Sequence, residues 1–252
     1  MLFKQQLLIN LEVTVMIEVK NVKQAFGKKV IFENVTFSVG EGEIVGILGP
    51  SGSGKTTLIK ALIGMTRPTE GKIYVLGVQQ PSLKPMKHIG YMAQSDALYE
   101  ELTADANLAY FGRLYGLKGQ RLKKRIQECL SFVDLDKETK KSVQHYSGGM
   151  KRRLSLAISL IHHPKLIFLD EPTVGIDPAL KRVFWKEFQY LKEQGRSFLI
   201  STHVMDEAER CDRILIVSDG KLIDAGTPEK LKQTYGTIEE AFLKAGELSC
   251  KS

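Results

Sequence analysis

At 252 residues, 43% of them hydrophobic and 26% charged, the chain has room and apolar content for one large domain, or for a core with a smaller lobe, and its composition excludes a disordered or low-complexity chain. The formal net charge of +7 favours anionic company, whether nucleotide phosphates, nucleic acid or an acidic membrane surface. No run approaches the roughly 20 apolar residues that span a bilayer, and Cys129, Cys211 and Cys250 form no CxxC pair, which argues against a metal site and fits a reducing cytosolic setting.

At the N-terminus Lys4 precedes Leu7-Leu8-Ile9, but Asn10 and Glu12 break the run and no small-residue cleavage site follows. A signal peptide is therefore not expected. Strand-like Ile17-Glu18-Val19 comes directly after Met16, so residues 1–16 read as an extension, native or a product of start-site choice. Short strands are predicted at Ile17–Val22, Val30–Phe32, Val35–Val39 and Ile44–Leu48, separated by Gly27 and by Gly40-Glu41-Gly42. The last is wholly apolar apart from Gly46, as a strand covered on both faces would be. A glycine-rich loop, a helix over about 54–64, and strands at Ile73–Leu76 and Ile89–Tyr91 follow.

From about 95 to 162 the pattern turns helical, with candidates at 103–116, 119–133 and 148–162, as an inserted lobe would give. In the second of these, Leu122, Ile126, Leu130 and Val133 recur at helical spacing, and Lys118, Arg121, Lys123, Lys124 and Arg125 line the wet side. No aromatic residues interleave with that basic run, so nucleic acid is not the expected partner. A buried strand returns at Leu166–Leu169. Asp177 caps a helix with Pro178 in its first position. Phe198–Ser201 is a strand, Ile214–Val217 and Leu222–Ala225 form a hairpin through Asp219-Gly220, Thr227-Pro228 opens a short helix, and Thr237 to Glu240 is a capping box. Strands alternating with helices predict an α/β fold.

The segment Gly49-Pro50-Ser51-Gly52-Ser53-Gly54-Lys55-Thr56, followed by Thr57, satisfies GxxxxGK[ST]. Glycines allow backbone conformations in which successive N–H groups point inward, and the loop opens onto a helix N-terminus that favours anions. Lys55 can reach the β and γ phosphates, and the Thr56 hydroxyl can ligate Mg²⁺. The apolar run Leu166–Leu169 ends in Asp170-Glu171-Pro172, which puts two acids at the carboxyl edge of a parallel sheet, where α/β folds bind ligands. Asp170 is the natural partner for Mg²⁺, and Glu171 is placed to orient or deprotonate a water.

Together with further motifs in the same order along the chain, these elements give it a resemblance to the ABC ATPase family over about residues 17–246. Tyr146-Ser147-Gly148-Gly149-Met150-Lys151 is similar to the family signature, with Met150 where Gln is frequent and Tyr146 where Leu is usual. Gln94 stands at the Q-loop position, Val174-Gly175-Ile176-Asp177 at the D-loop, His203 at the switch histidine, and Phe26 where an aromatic stacks on adenine. The resemblance implies a P-loop NTPase (RecA-like) core with an N-terminal antiparallel β subdomain and a helical subdomain over about 95–162, and leaves residues 247–252 as a tail. It implies ATP and Mg²⁺ as ligands, with Thr56, Gln94 and Asp170 around the metal and Glu171 and His203 as the catalytic pair. It implies a head-to-tail dimer, of two identical or two related subunits, in which Ser147, Gly148 and Gly149 of one subunit, with Asp177 nearby, close on the cradle of the other. It also implies an integral membrane permease as a further partner, and hence a place at the cytoplasmic face of the membrane.

Ala97-Leu98-Tyr99-Glu100-Glu101-Leu102-Thr103 and Phe111-Gly112-Arg113-Leu114-Tyr115-Gly116-Leu117 are similar to exporters of the daunorubicin-resistance type, which favours export over import. A soluble ABC ATPase is the alternative, but there is a single cassette and no room for a long coiled coil between its halves. A P-loop kinase would leave Ser147-Gly148-Gly149 and His203 without a role.

Overall fold

The structure, a computed structural model, describes residues 15–95 and 97–249. Cys250 and the expected N-terminal extension up to residue 14 lie outside them. Two sheets form the frame. One is four-stranded and antiparallel, in the order β2-β1-β4-β5: β1 (Val15–Phe26), β2 (Lys29–Gly40), β4 (Glu70–Val75) and β5 (Val78–Gln79). The other has six strands in the order β10-β9-β3-β8-β7-β6: β3 (Ile44–Leu48), β6 (Ile89–Met92), β7 (Leu166–Asp170), β8 (Ser197–Thr202), β9 (Arg213–Ser218) and β10 (Lys221–Gly226). It is parallel except at the β9–β10 hairpin.

The stretches Val30–Phe32 and Val35–Val39, expected as separate strands, belong to one strand, β2. Asn34 punctuates the sequence, but it takes a left-handed φ of 55° and the chain continues through it, as asparagine can do at low cost. Val22 pairs with Val35, and register shifts flank that pair.

The space between the sheets is filled by Val19, Phe32, Val39, Val45, Ile47, Phe168, Leu199 and Leu215, together with Ile59 and Leu62 of α1 (Lys55–Leu62). On the opposite face of the parallel sheet lie α2 (Ala104–Leu114), α3 (Gly119–Phe132), α4 (Gly148–Leu160) and α5 (Pro178–Glu193), which share a second core of Leu108, Leu130, Leu154, Phe184, Phe188 and Phe198. The expected caps are made. Asp177 Oδ1 accepts from Leu180 N–H at 2.9 Å. Thr237 and Glu240 bond reciprocally, both at 3.0 Å, at the start of the last helix. A helix at Met205–Ala208, α6, was not expected; it is one turn long, too short to leave a periodic signal. The C-terminal helices α7 (Pro228–Tyr235) and α8 (Ile238–Ser249) pack Leu231, Ile238 and Ala241 against β9.

This strand order decides where the chemistry sits. In the register, β3 is flanked by β9 and β8, with Leu48 opposite Thr202, and β7 lies beyond β8, with Asp170 opposite Ser201. The carboxyl ends of β3, β7 and β8 are therefore neighbours, and the chain leaving each one carries the loop 49–54, Glu171 and His203 respectively.

Candidate nucleotide site

The loop after β3 wraps its own lysine. Lys55 is 5% exposed and its Nζ donates to the carbonyls of Gly49 and Pro50, at 2.8 and 2.9 Å. Gly54 has φ 98°, closed to ordinary L residues, and precedes the first free amides of α1. Gly49 is needed for a different reason. A Cβ there would stand 2.5 Å from the Val217 carbonyl and 2.7 Å from Ser53 Oγ. Ser51 and Gly52 are exposed, while Thr56 and Thr57 are half-buried in the first turn of α1. Ser53 Oγ is buried without a hydrogen-bond partner.

The acids meet the lysine from β7. Glu171 Oε1 lies 3.9 Å from Lys55 Nζ and 3.3 Å from His203 Nδ1. Burial pulls the Lys55 ammonium below the usual lysine range, and Glu171 and then Asp170 pull it back up. Glu171 holds a left-handed φ of 52°, a strained state for glutamate that its surroundings must enforce. They do so on both sides. Its N–H donates to Ser201 O and Oγ, each at 3.1 Å, and its carbonyl accepts from Arg152 Nη2 at 2.7 Å. Asp170 is fully buried. Ser201 Oγ donates to its Oδ1, while its Oδ2 has no hydrogen-bond partner. A buried carboxylate oxygen without a donor is costly, and it fits a cation ligand. Tyr91, on the next strand, has its hydroxyl pushed up to about 12 by burial, then by Asp170, with Arg152 opposing.

Three residues missed by sequence reasoning organise this site. Arg152, on α4, donates to the carbonyls of Ala93 and Gln94, at 2.6 and 2.9 Å, and to those of Asp170 and Glu171. Ser201, which bonds the Glu171 N–H and Asp170 Oδ1, and Glu207, which accepts from the Thr173 and Thr202 hydroxyls beside them, are the others. None of the three leaves a local signal in the sequence: Arg152 is 6% exposed and so requires partners, but that burial is set by the fold.

The remaining expected residues are dispersed. Gln94 is exposed, directly beyond β6, and joins the site through its backbone. Phe26 is 53% exposed at the end of β1. Its hairpin reaches the glycine loop through Ile31 and Phe32, which face Gly54. Ser147 caps α4, accepting from Met150 N–H at 3.2 Å, and a Cβ on Gly148 would meet nothing within 4 Å. Among the described residues no hydrogen bond connects this turn to the loop 49–54. A Cβ on Gly149 would stand 3.2 Å from the Gly175 carbonyl, so the turn adjoins the segment that ends in Asp177.

Residues 32–174 match the family described as ABC transporter. The chain belongs to that family. Among curated members, the Nod factor export ATP-binding protein I of Rhizobium sp. (strain N33) is 41% identical over 88% of this chain and 74% of its own length. The linearmycin resistance ATP-binding protein LnrL of Bacillus subtilis (strain 168) is 39% identical over 91% of this chain and 78% of its own. The probable multidrug ABC transporter ATP-binding protein YbhF of Escherichia coli (strain K12) is 41% identical over 90% of this chain, which spans only 41% of that longer protein. A solved ATP-binding subunit of an ABC transporter superposes with a TM-score of 0.84 at 29% identity, covering 91% of this chain and 99% of the other. A dimeric ATP-binding cassette in a post-hydrolysis state with ADP and Pi gives 0.78 at 28% identity, over 84% and 98%. The ABC cassette architecture and the P-loop NTPase fold are thus those of this chain.

Proposed function

We propose that this chain is the ATP-binding, ATP-hydrolysing subunit of an ABC exporter, and that it powers a membrane-spanning permease carried on a separate chain. One observation carries the hydrolytic reading: Glu171 Oε1 sits between Lys55 Nζ and His203 Nδ1, beside the buried, unpartnered Asp170 Oδ2. A cradle lysine, a base and a histidine thus converge where the γ-phosphate of a nucleotide in the loop would lie.

In this reading the loop Gly49-Pro50-Ser51-Gly52-Ser53-Gly54, with the amides of Lys55, Thr56 and Thr57, wraps the phosphate tail, and Phe26 stacks on adenine. Lys55 exchanges its loop carbonyls for phosphate oxygens. Glu171 takes the proton of the attacking water as general base, and His203 orients that water and the γ-phosphate. Thr56, Asp170 and Gln94 would hold a Mg²⁺, which supplies positive charge against the phosphate oxygens. Ser147, Gly148 and Gly149, at the start of α4, form a second anion-binding end and serve the partner subunit's nucleotide in a head-to-tail dimer, with Asp177 at the same seam. The openness of that turn and its lack of bonds to its own cradle support this arrangement.

The catalytic unit is taken as residues 17–246, with the helical subdomain at about 95–162. No helix among the described residues is long and apolar enough to cross a membrane, and the relatives' names speak of export, multidrug transport and resistance. Both fit a subunit held at the cytoplasmic face by its permease. The test is phosphate release from ATP with Mg²⁺ by the chain purified together with its membrane partner. Absence of both nucleotide retention and phosphate release would overturn the reading.

A further inference from the structure

Behind the Glu171–His203 pair lies a second carboxylate that the hydrolytic mechanism does not use. Glu207, on α6, is 2% exposed. Its Oε1 accepts from the Thr173 hydroxyl and from Lys181 Nζ, the latter at 3.2 Å, and its Oε2 accepts from Thr202 Oγ1 at 2.8 Å. Thr202 Oγ1 in turn accepts from Val204 N–H at 3.0 Å, so the residues on both sides of His203 are fixed by one hydroxyl. Thr173 stands just past Glu171-Pro172, and Lys181 lies in the first turns of α5.

A carboxylate is a poor way to fill this space by packing alone, because a buried charge must find donors on every side. Here its donors come from separate segments: the loop carrying Glu171, the strand end carrying His203, and the helix that begins at Asp177. His203 itself is 45% exposed, and the one side-chain contact it makes to the acid pair is the 3.3 Å approach to Glu171. With nearly half of its side chain in solvent and its place on a loop, the imidazole is aimed in large part by its backbone.

We propose that Glu207 is a positioning residue. It latches the Thr202–Val204 segment to the Thr173 loop and to α5, and so holds His203 at the distance from Glu171 that turnover needs. The latch rests on the proposed hydrolytic site, and it acts through His203 rather than on nucleotide.

The test uses the full chain with its membrane partner for turnover, and ¹⁵N-histidine-labelled chain for the imidazole resonances. Glu207→Ala lowers kcat for ATP about tenfold or more while KM stays within about twofold. The same change made in a His203→Ala background alters kcat less than about twofold, because the latch then has nothing to aim. Glu207→Gln, which preserves shape, recovers part of the loss. In both variants the His203 resonances move while those of His88 and His145 stay. If Glu207→Ala does not fold, Glu207→Gln carries the same measurements. An equal loss of kcat in the wild-type and His203→Ala backgrounds, or His203 resonances unmoved in the variants, overturns the latch. A wild-type chain that fails to hydrolyse ATP counts against the hydrolytic reading, while the resonances still decide whether Glu207 positions His203.

Discussion

Arg152, on the helix that follows Ser147-Gly148-Gly149, donates a 2.9 Å hydrogen bond to the backbone carbonyl of Gln94. The same guanidinium bonds the carbonyls of Asp170 and Glu171. One side chain therefore ties the segment after β6, the acid pair and α4 together.

Arg152→Met should leave those carbonyls without donors in a buried place. Hydrogen bonds to a charged group contribute about 1.5–3 kcal/mol each, but the exchange with water and relaxation reduce the sum. A loss of about 2–4 kcal/mol is expected, lowering the melting temperature by on the order of 10 °C. Thermal denaturation of the two proteins side by side checks this. A change within error would mean that the guanidinium is dispensable to the fold.

Glu171→Gln keeps the side chain's size and removes its basicity. Turnover should fall by about 10²–10⁴, the usual contribution of a general base, while nucleotide is still retained. Phosphate release and nucleotide titration on the same sample separate the two effects. Undiminished turnover would remove Glu171 from the role of base.

Lys55→Ala removes a buried ammonium that donates hydrogen bonds to two loop carbonyls and lies 3.9 Å from Glu171 Oε1. Charge-assisted bonds to phosphate, about 1.5–3 kcal/mol, are lost, so nucleotide affinity should drop roughly tenfold or more. Folding is expected to survive, because burial opposes this charge. Equal nucleotide affinity in wild type and variant would argue against the cradle.

His162 gives the chain a pH dependence. Its ring stacks on Tyr115 with centroids 3.7 Å apart, and Nε2–H donates to the Ile89 carbonyl at 2.8 Å. Burial above all lowers its pKa from 6.5 to about 4. The Ile89 bond opposes this, and Arg125, His163 and His88 add to it. The unfolded imidazole takes up its proton near 6.5 and the folded one only near 4, so stability is full above the first value and is lost as pH falls toward the second. After allowance for solvent screening at a half-buried ring, wild type should lose on the order of 2 kcal/mol more than His162→Gln across that window. Urea denaturation at a series of pH values reads the difference. Parallel pH curves would show that another group is responsible.

Ser147→Arg places a long cation on the open turn. It should leave the monomer folded and abolish ATP-dependent pairing, seen by gel filtration of a chain that also carries Glu171→Gln. Dimers as abundant as those of the single variant would contradict the head-to-tail arrangement.

Features that depend on neighbours along the chain were legible from the sequence alone. The apolar run Ile44–Leu48, the glycine loop behind it, the acids ending Leu166–Leu169 and the caps at Asp177 and Thr237 each carry their own chemistry within a few residues, and each has the predicted form. The strand order, the strained backbone of Glu171, its approach to His203, the reach of Arg152 and the burial of Glu207 were decided by the tertiary structure. Each depends on which parallel strands become neighbours after long crossovers, and that choice leaves no local pattern. A buried arginine and a buried glutamate look like surface residues in a sequence; only the donors and acceptors that folding brings to them make their burial possible.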